Sequence, residues 1–197
     1  MTILSDWHRK QVKELQLDRS WVKAAFKAAK SSNGLALIEA LSQCEMRGTL
    51  AVTFRQMARL VAVDPSIQRR VASWWQENGY RTDCTKNSDP KIIQGIRVLL
   101  PPYVGPEVRV FRGQEFPQLR MRNIGLWWTN RISVAEAYAN DPCRNSGRAS
   151  VILEATVQPS DIIFSASTTR YSNQYDVTEY MIDSRIIPII RVRQVFL

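Results

Sequence analysis

The chain has 197 residues, 45% of them apolar and 23% charged, with a formal net charge of +9. That length suffices for one large domain, or a small domain joined to a second element, with core enough to fold without disulfides or metal. No run approaches the roughly 18 apolar residues that a membrane span needs, and the charged start MTILSDWHRKQVKEL is unlike a secretory signal. A cytoplasmic protein, in its own cell or in a host, is expected. Cys44, Cys84 and Cys143 are scattered and odd in number, so reduced thiols are expected rather than a disulfide framework or a zinc site. The charge is uneven: residues 1–100 hold 16 Lys/Arg against 9 Asp/Glu, and residues 101–197 hold 11 against 9. A basic half suggests an acidic partner, nucleic acid or protein; the plainer reading is a solvated surface that aids solubility.

In chain order, Leu4, Trp7, Val12 and Leu15 predict a short helix, followed by a second over Trp21–Lys30 with Trp21, Ala25 and Ala28 on one face. Ser31-Ser32-Asn33-Gly34 is a turn, Leu35–Met46 a helix, and Gly48 its stop. Thr53 with Gln56 three residues on resembles a capping box opening Phe54–Val63. Asp64-Pro65 and Ser88-Asp89-Pro90 each put a capping carboxylate before a proline suited to a first helical turn. The first of these helices aligns Ile67, Val71, Trp74 and Trp75, most simply as core, and Gly79 is placed to end it.

After Pro101-Pro102 the period changes from helical to alternating. Strands are expected over Glu107–Phe111, Gly125–Thr129, Ala149–Val157, Ile162–Ser165, Glu179–Ile182 and Ile186–Phe196. Ser133 with Glu136 is expected to cap a short helix between the second and third, and Pro159-Ser160-Asp161 to turn before the fourth. The expected fold is therefore α+β: a basic helical region over 1–102, then a domain over 103–197 with a mixed, mostly antiparallel sheet.

Four segments of that second domain carry a family resemblance. VRVFRGQ ends the first strand at Arg112, and GLWWTNRISVAEAYA forms a strand-then-helix block; VILEATVQPSDII ends in a Pro-x-Asp-Ile turn, and YDVTEYMID opens a strand near Glu179. In this order they resemble the arginine–serine–glutamate branch of the ADP-ribosyltransferases, whose toxin- and phage-type members are compact mono-ADP-ribosyltransferases. The resemblance covers roughly residues 105–190. It implies NAD as co-substrate, no metal, and release of nicotinamide as ADP-ribose passes to a protein or nucleic-acid acceptor.

The chemistry explains the residue types. Cleaving the bond between nicotinamide and ribose passes through a transition state with oxocarbenium character, which a carboxylate beside the ribose stabilises. Glu179 is the implied carboxylate. Arg112 is the implied grip on the pyrophosphate or ribose through its planar fork. Gly113 would let the dinucleotide approach, Gln114 adjoins them, and Thr129 supplies a hydroxyl to position Glu179 or the ribose. Trp128 or Tyr138 would stack on the nicotinamide. Each has a plainer reading: Arg112 as a surface ion pair, Glu179 as an exposed strand residue, Trp128 and Tyr138 as packing. Two positions depart from the family's pattern. Trp127 stands where a Ser is usual, and Val177, in the implied target loop with Asp176, stands where arginine-modifying members carry Glu or Gln. The competing expectation is a module that keeps this fold and binds nucleic acid or protein without the chemistry.

Overall fold

The computed structural model describes residues 6–78, 89–120, 124–141, 149–168, 177–187 and 191–196. The fold is α+β, with helices first and strands after them. It comprises two compact units, one of the helices up to Pro101 and one of the residues from Pro102 together with Asp89.

In the helical unit, α1 (Asp6–Lys30) is one continuous helix rather than two. Gln16–Ser20 carries no glycine or proline to break it, and the Ser20 hydroxyl donates back to the Leu17 carbonyl at 2.6 Å. α2 (Gly34–Met46) is capped by Asn33, whose side chain accepts the Ala36 N–H at 3.1 Å, and Gly48 (φ +65°) follows its end. α3 spans Leu50–Met57 with Thr49 at its N-cap, so the capping box at Thr53 is not formed. Thr53 lies inside the helix, fully buried, with its hydroxyl donating to the Thr49 carbonyl at 3.0 Å. Burial of Leu50 and Phe54 draws the helix start back by one turn, and tertiary packing overrides the local signal.

α4 (Pro65–Asn78) begins as expected, with the Asp64 carboxylate accepting the Ser66 N–H at 2.8 Å. The hydrogen bonds from Ser66 hold the Asp64 carboxyl below its ordinary value. Gly79 and Ser88 lie outside the described residues, as do Cys84 and Cys143; Cys44 is a buried free thiol. Trp74 and Trp75 are core residues, with the Trp74 indole N–H donating to Ser42 Oγ at 2.9 Å and Trp75 packing 5.3 Å from the Phe54 ring. α5 (Pro90–Leu99) crosses α3 at Gly95, where a Cβ would overlap the Phe54 carbonyl.

The second unit is built on one six-stranded sheet, β1 (Val108–Glu115), β2 (Trp127–Thr129), β3 (Ser150–Val157), β4 (Ile162–Thr168), β5 (Val177–Ile182) and β6 (Arg191–Phe196). The order across the sheet is β4-β5-β2-β1-β3-β6, and every recorded pairing is antiparallel. A five-residue helix, α6 (Phe116–Arg120), follows β1, and Pro159–Asp161 forms the expected turn as a 3-10 segment. α7 (Ile132–Ala139) starts one residue ahead of the expected cap at Ser133; Arg131 is the N-cap and gives no side-chain bond.

The last strand is described over Arg191–Phe196, and Ile186, expected to open it, lies in a turn instead. Asp183, 4% exposed, binds Arg185 through both carboxylate oxygens (2.8 and 2.6 Å), and its carbonyl accepts the Ile186 N–H. That turn takes the chain out of the ladder after β5. One face of the sheet buries Val110, Trp128, Val151, Leu153, Tyr180 and Ile182, flanked by Tyr103 and Phe116. The other buries Phe111 and Ile152 beneath Ala135 and Ala139 of α7.

Candidate functional site

Strand pairing brings together residues far apart in the chain. Phe111 pairs with Thr129, Thr129 with Glu179, and Glu179 with Ala166; on the other side Phe111 pairs with Glu154, and Glu154 with Arg191. One row thus crosses all six strands. Directly paired residues of antiparallel strands present their side chains on the same face. Thr129 and Glu179 are therefore immediate neighbours on the α7 face, with Phe111 one strand further on.

Thr129 is buried, and its hydroxyl accepts the Arg131 N–H at 3.1 Å, which leaves the hydroxyl proton to be donated. Glu179 is half-buried. Its register is held from the next residue along: Asn130 donates its backbone N–H to the Thr178 carbonyl (3.2 Å), and the Thr178 N–H returns to Asn130 Oδ1 (3.2 Å). This two-bond clamp closes the β2–β5 end beside the Thr129–Glu179 pair. Nothing local in the sequence links Asn130 to a residue 48 positions away.

Arg112 belongs to the adjacent row. It pairs with Leu153 and so points to the opposite face, towards the core of Val110 and Trp128. Its Nε donates to Gln114 Oε1 at 2.9 Å and its Nη1 to the Trp127 carbonyl at 2.5 Å, while Nη2 lies against Gly125. Gln114 is 5% exposed, and accepting from Arg112 fixes which way its amide faces; its Nε2 and the Trp127 and Trp128 indole N–H groups are buried without a hydrogen-bond partner. Two of these donors, Gln114 Nε2 and the Trp128 indole N–H, lie on the Arg112 face, whereas the Trp127 side chain, two residues before Thr129, lies on the α7 face.

The remaining candidates sort clearly. Trp128 is 2% exposed in the core, where a nicotinamide ring reaches it only if the core repacks. Tyr138 is half-buried on α7. Gly113 has a steric purpose within the protein: a Cβ would overlap the Ala135 carbonyl oxygen and come within 2.7 Å of Ala139 N, so α7 occupies that space. Asp176 and the side chain of Val177 lie outside the described residues.

The α7 face also carries a charged group that the sequence does not announce. Glu154 accepts from Arg109 Nε at 2.6 Å and from Arg193 Nη1 at 2.9 Å, and both guanidiniums lie over the Phe111 ring, 5.4 and 5.9 Å from its centre. The Arg193 hydrogen bond, then Arg109, holds the Glu154 carboxyl below its ordinary value, with burial opposing. A depressed folded-state value stabilises the fold above the ordinary carboxylate range and loses that contribution as pH falls through the folded value. Glu154→Gln is accordingly expected to lower the melting temperature by a few degrees at neutral pH. The difference from wild type should close in acid and shrink in high salt, since both arginines are largely solvated. A gap that stays constant with pH would refute the charge assignment.

No family model, curated protein or solved structure matches the chain. No helix among the described residues is long and apolar enough to cross a membrane.

Proposed function

We propose that the chain is a mono-ADP-ribosyltransferase that moves ADP-ribose from NAD to a macromolecular acceptor in a cytosol and releases nicotinamide. The observation that carries this reading is the pairing of Thr129 with Glu179, next to the strand that bears Arg112. Residues from three separate motifs lie on three adjacent strands, Thr129 and Glu179 on one face of the sheet and Arg112 on the other. Glu179 stabilises the positive charge that develops on the ribose and orients its 2′-hydroxyl. Thr129 donates its hydroxyl proton to that carboxylate or to the ribose. Arg112 and the unpartnered Gln114 amide beside it, on the opposite face, would take the acceptor-rich phosphates.

A second reading has its own observation. Arg112 is engaged by Gln114 and the Trp127 carbonyl on the face opposite Glu179, which favours a binding module that keeps the fold without the chemistry. Incubation with labelled NAD and cell lysate, with nuclease and protease arms, separates the two. Nicotinamide release with label retained on protein or nucleic acid supports the transferase, release without retained label supports hydrolysis, and no release supports the binding module.

On the transferase reading Asn130 is a positioning residue. Asn130→Ala removes the acceptor for the Thr178 N–H and is expected to lower kcat about tenfold, with KM for NAD little changed. Asn130→Asp keeps an oxygen at that point and should restore most of the rate. Equal losses in both variants would remove the role.

A further inference from the structure

Four cations of the C-terminal half of α1 gather on a single face. Arg19, Lys23, Lys27 and Lys30 follow one another at i, i+4, i+8 and i+11, and all four are exposed. At 3.6 residues per turn they lie within an arc of about 80°. Ala25, Ala28 and Ala29, on the opposite side, are buried, and α1 packs on α2 and α3. Asp18, next to Arg19 in the chain but about 100° round the helix from it, is engaged by Arg47 at 3.1 Å. Among the described residues none of the four cations has a carboxylate partner.

Such a ridge weakens the helix that carries it, because like charges one turn apart repel. Lys27 and Lys30 sit in the last turn, where the helix dipole favours them; Arg19 and Lys23 have no such compensation. An external polyanion would supply the missing counter-charge.

We propose that this ridge binds the phosphate backbone of nucleic acid without regard to base sequence. From Arg19 to Lys30 it rises about 16 Å, the axial length of about five base pairs. Evenly spaced cations suit a linear array of phosphates. Among the described side chains of α1, the exposed large apolar residues, Leu15 and Leu17, precede the ridge, and none stands alongside Lys23–Lys30 as a wedge for insertion into a bilayer. The inference does not depend on the NAD chemistry.

The test is fluorescence anisotropy of the full chain with labelled duplex DNA of about 20 base pairs and with single-stranded RNA, across a salt series. Four phosphate contacts predict a log–log salt slope of about −3.6 on the duplex. The double variant Lys23→Glu/Lys27→Glu should lower that slope to about −1.8 and weaken binding more than about tenfold at low salt. A charge-matched variant, Arg59→Glu/Arg69→Glu, alters exposed cations elsewhere in the same unit and should lose far less. Circular dichroism confirms that each variant is folded. Equal losses in the two variants would reduce the ridge to diffuse charge. Binding to phosphatidylserine-containing vesicles but not to nucleic acid, or no salt-dependent binding at all, would also overturn the proposal.

Discussion

Glu179→Gln is expected to lower nicotinamide release from NAD by about a hundred- to a thousandfold. The substitution keeps the shape and an oxygen acceptor for the ribose hydroxyl but removes the negative charge. Ground-state binding of NAD should therefore change little, and the loss should fall on kcat, because the positive charge on the ribose develops only in the transition state. Glu179 is half-buried and stands beside the buried Thr129 in the row Phe111–Thr129–Glu179–Ala166. An isosteric amide is accommodated there, so the melting temperature should stay close to wild type. Nicotinamide release that survives the substitution would end the assignment of Glu179. A folded wild-type chain that never releases nicotinamide would end the transferase reading itself.

Gly113→Ala is expected to destabilise the sheet unit by about 3 kcal/mol, at the upper end of what an extra methyl in a packed core costs. The new Cβ would overlap the Ala135 carbonyl and crowd Ala139 N, both backbone atoms of α7, which rotamer changes cannot relieve. The helix would lift from Phe111 and Ile152, and with it the Ala135 and Ala139 contacts that bury this face. In a chain of this size such a loss lowers the melting temperature by about 6–12 °C. The experiment also decides why the glycine is there. If Gly113 serves only close approach of a dinucleotide, stability is kept and NAD binding weakens; if it seats α7, stability falls whether or not NAD is present.

Local chemistry was legible wherever neighbours in sequence decide the outcome. Asp64-Pro65 starts α4, Asn33 lies in the turn before α2, and Pro159-Ser160-Asp161 turns between β3 and β4, each by hydrogen bonds or sterics within a few residues. The local signals failed where burial or distant contacts outweighed them. Thr53 is a sound capping residue in isolation, yet it lies within α3 because Leu50 and Phe54 are drawn into the core. Ile186 continues an apolar strand pattern, yet the Asp183–Arg185 pair turns the chain there.

For the candidate site, the amino-acid sequence by itself determined the α+β division near Pro101-Pro102, the order of the motifs, and the residue types offered to the chemistry. Only the tertiary structure decided which of them meet. Thr129 and Glu179 are neighbours because β2 pairs with β5; Arg112 points the other way because it is one residue beyond Phe111 on β1. The same packing turned Gly113 into the seat of α7 and made Asn130 a clamp. Side chains alternate along a strand, so a register shift of one residue exchanges the two faces, and that register is set by pairing between segments about 50 residues apart rather than by anything within them.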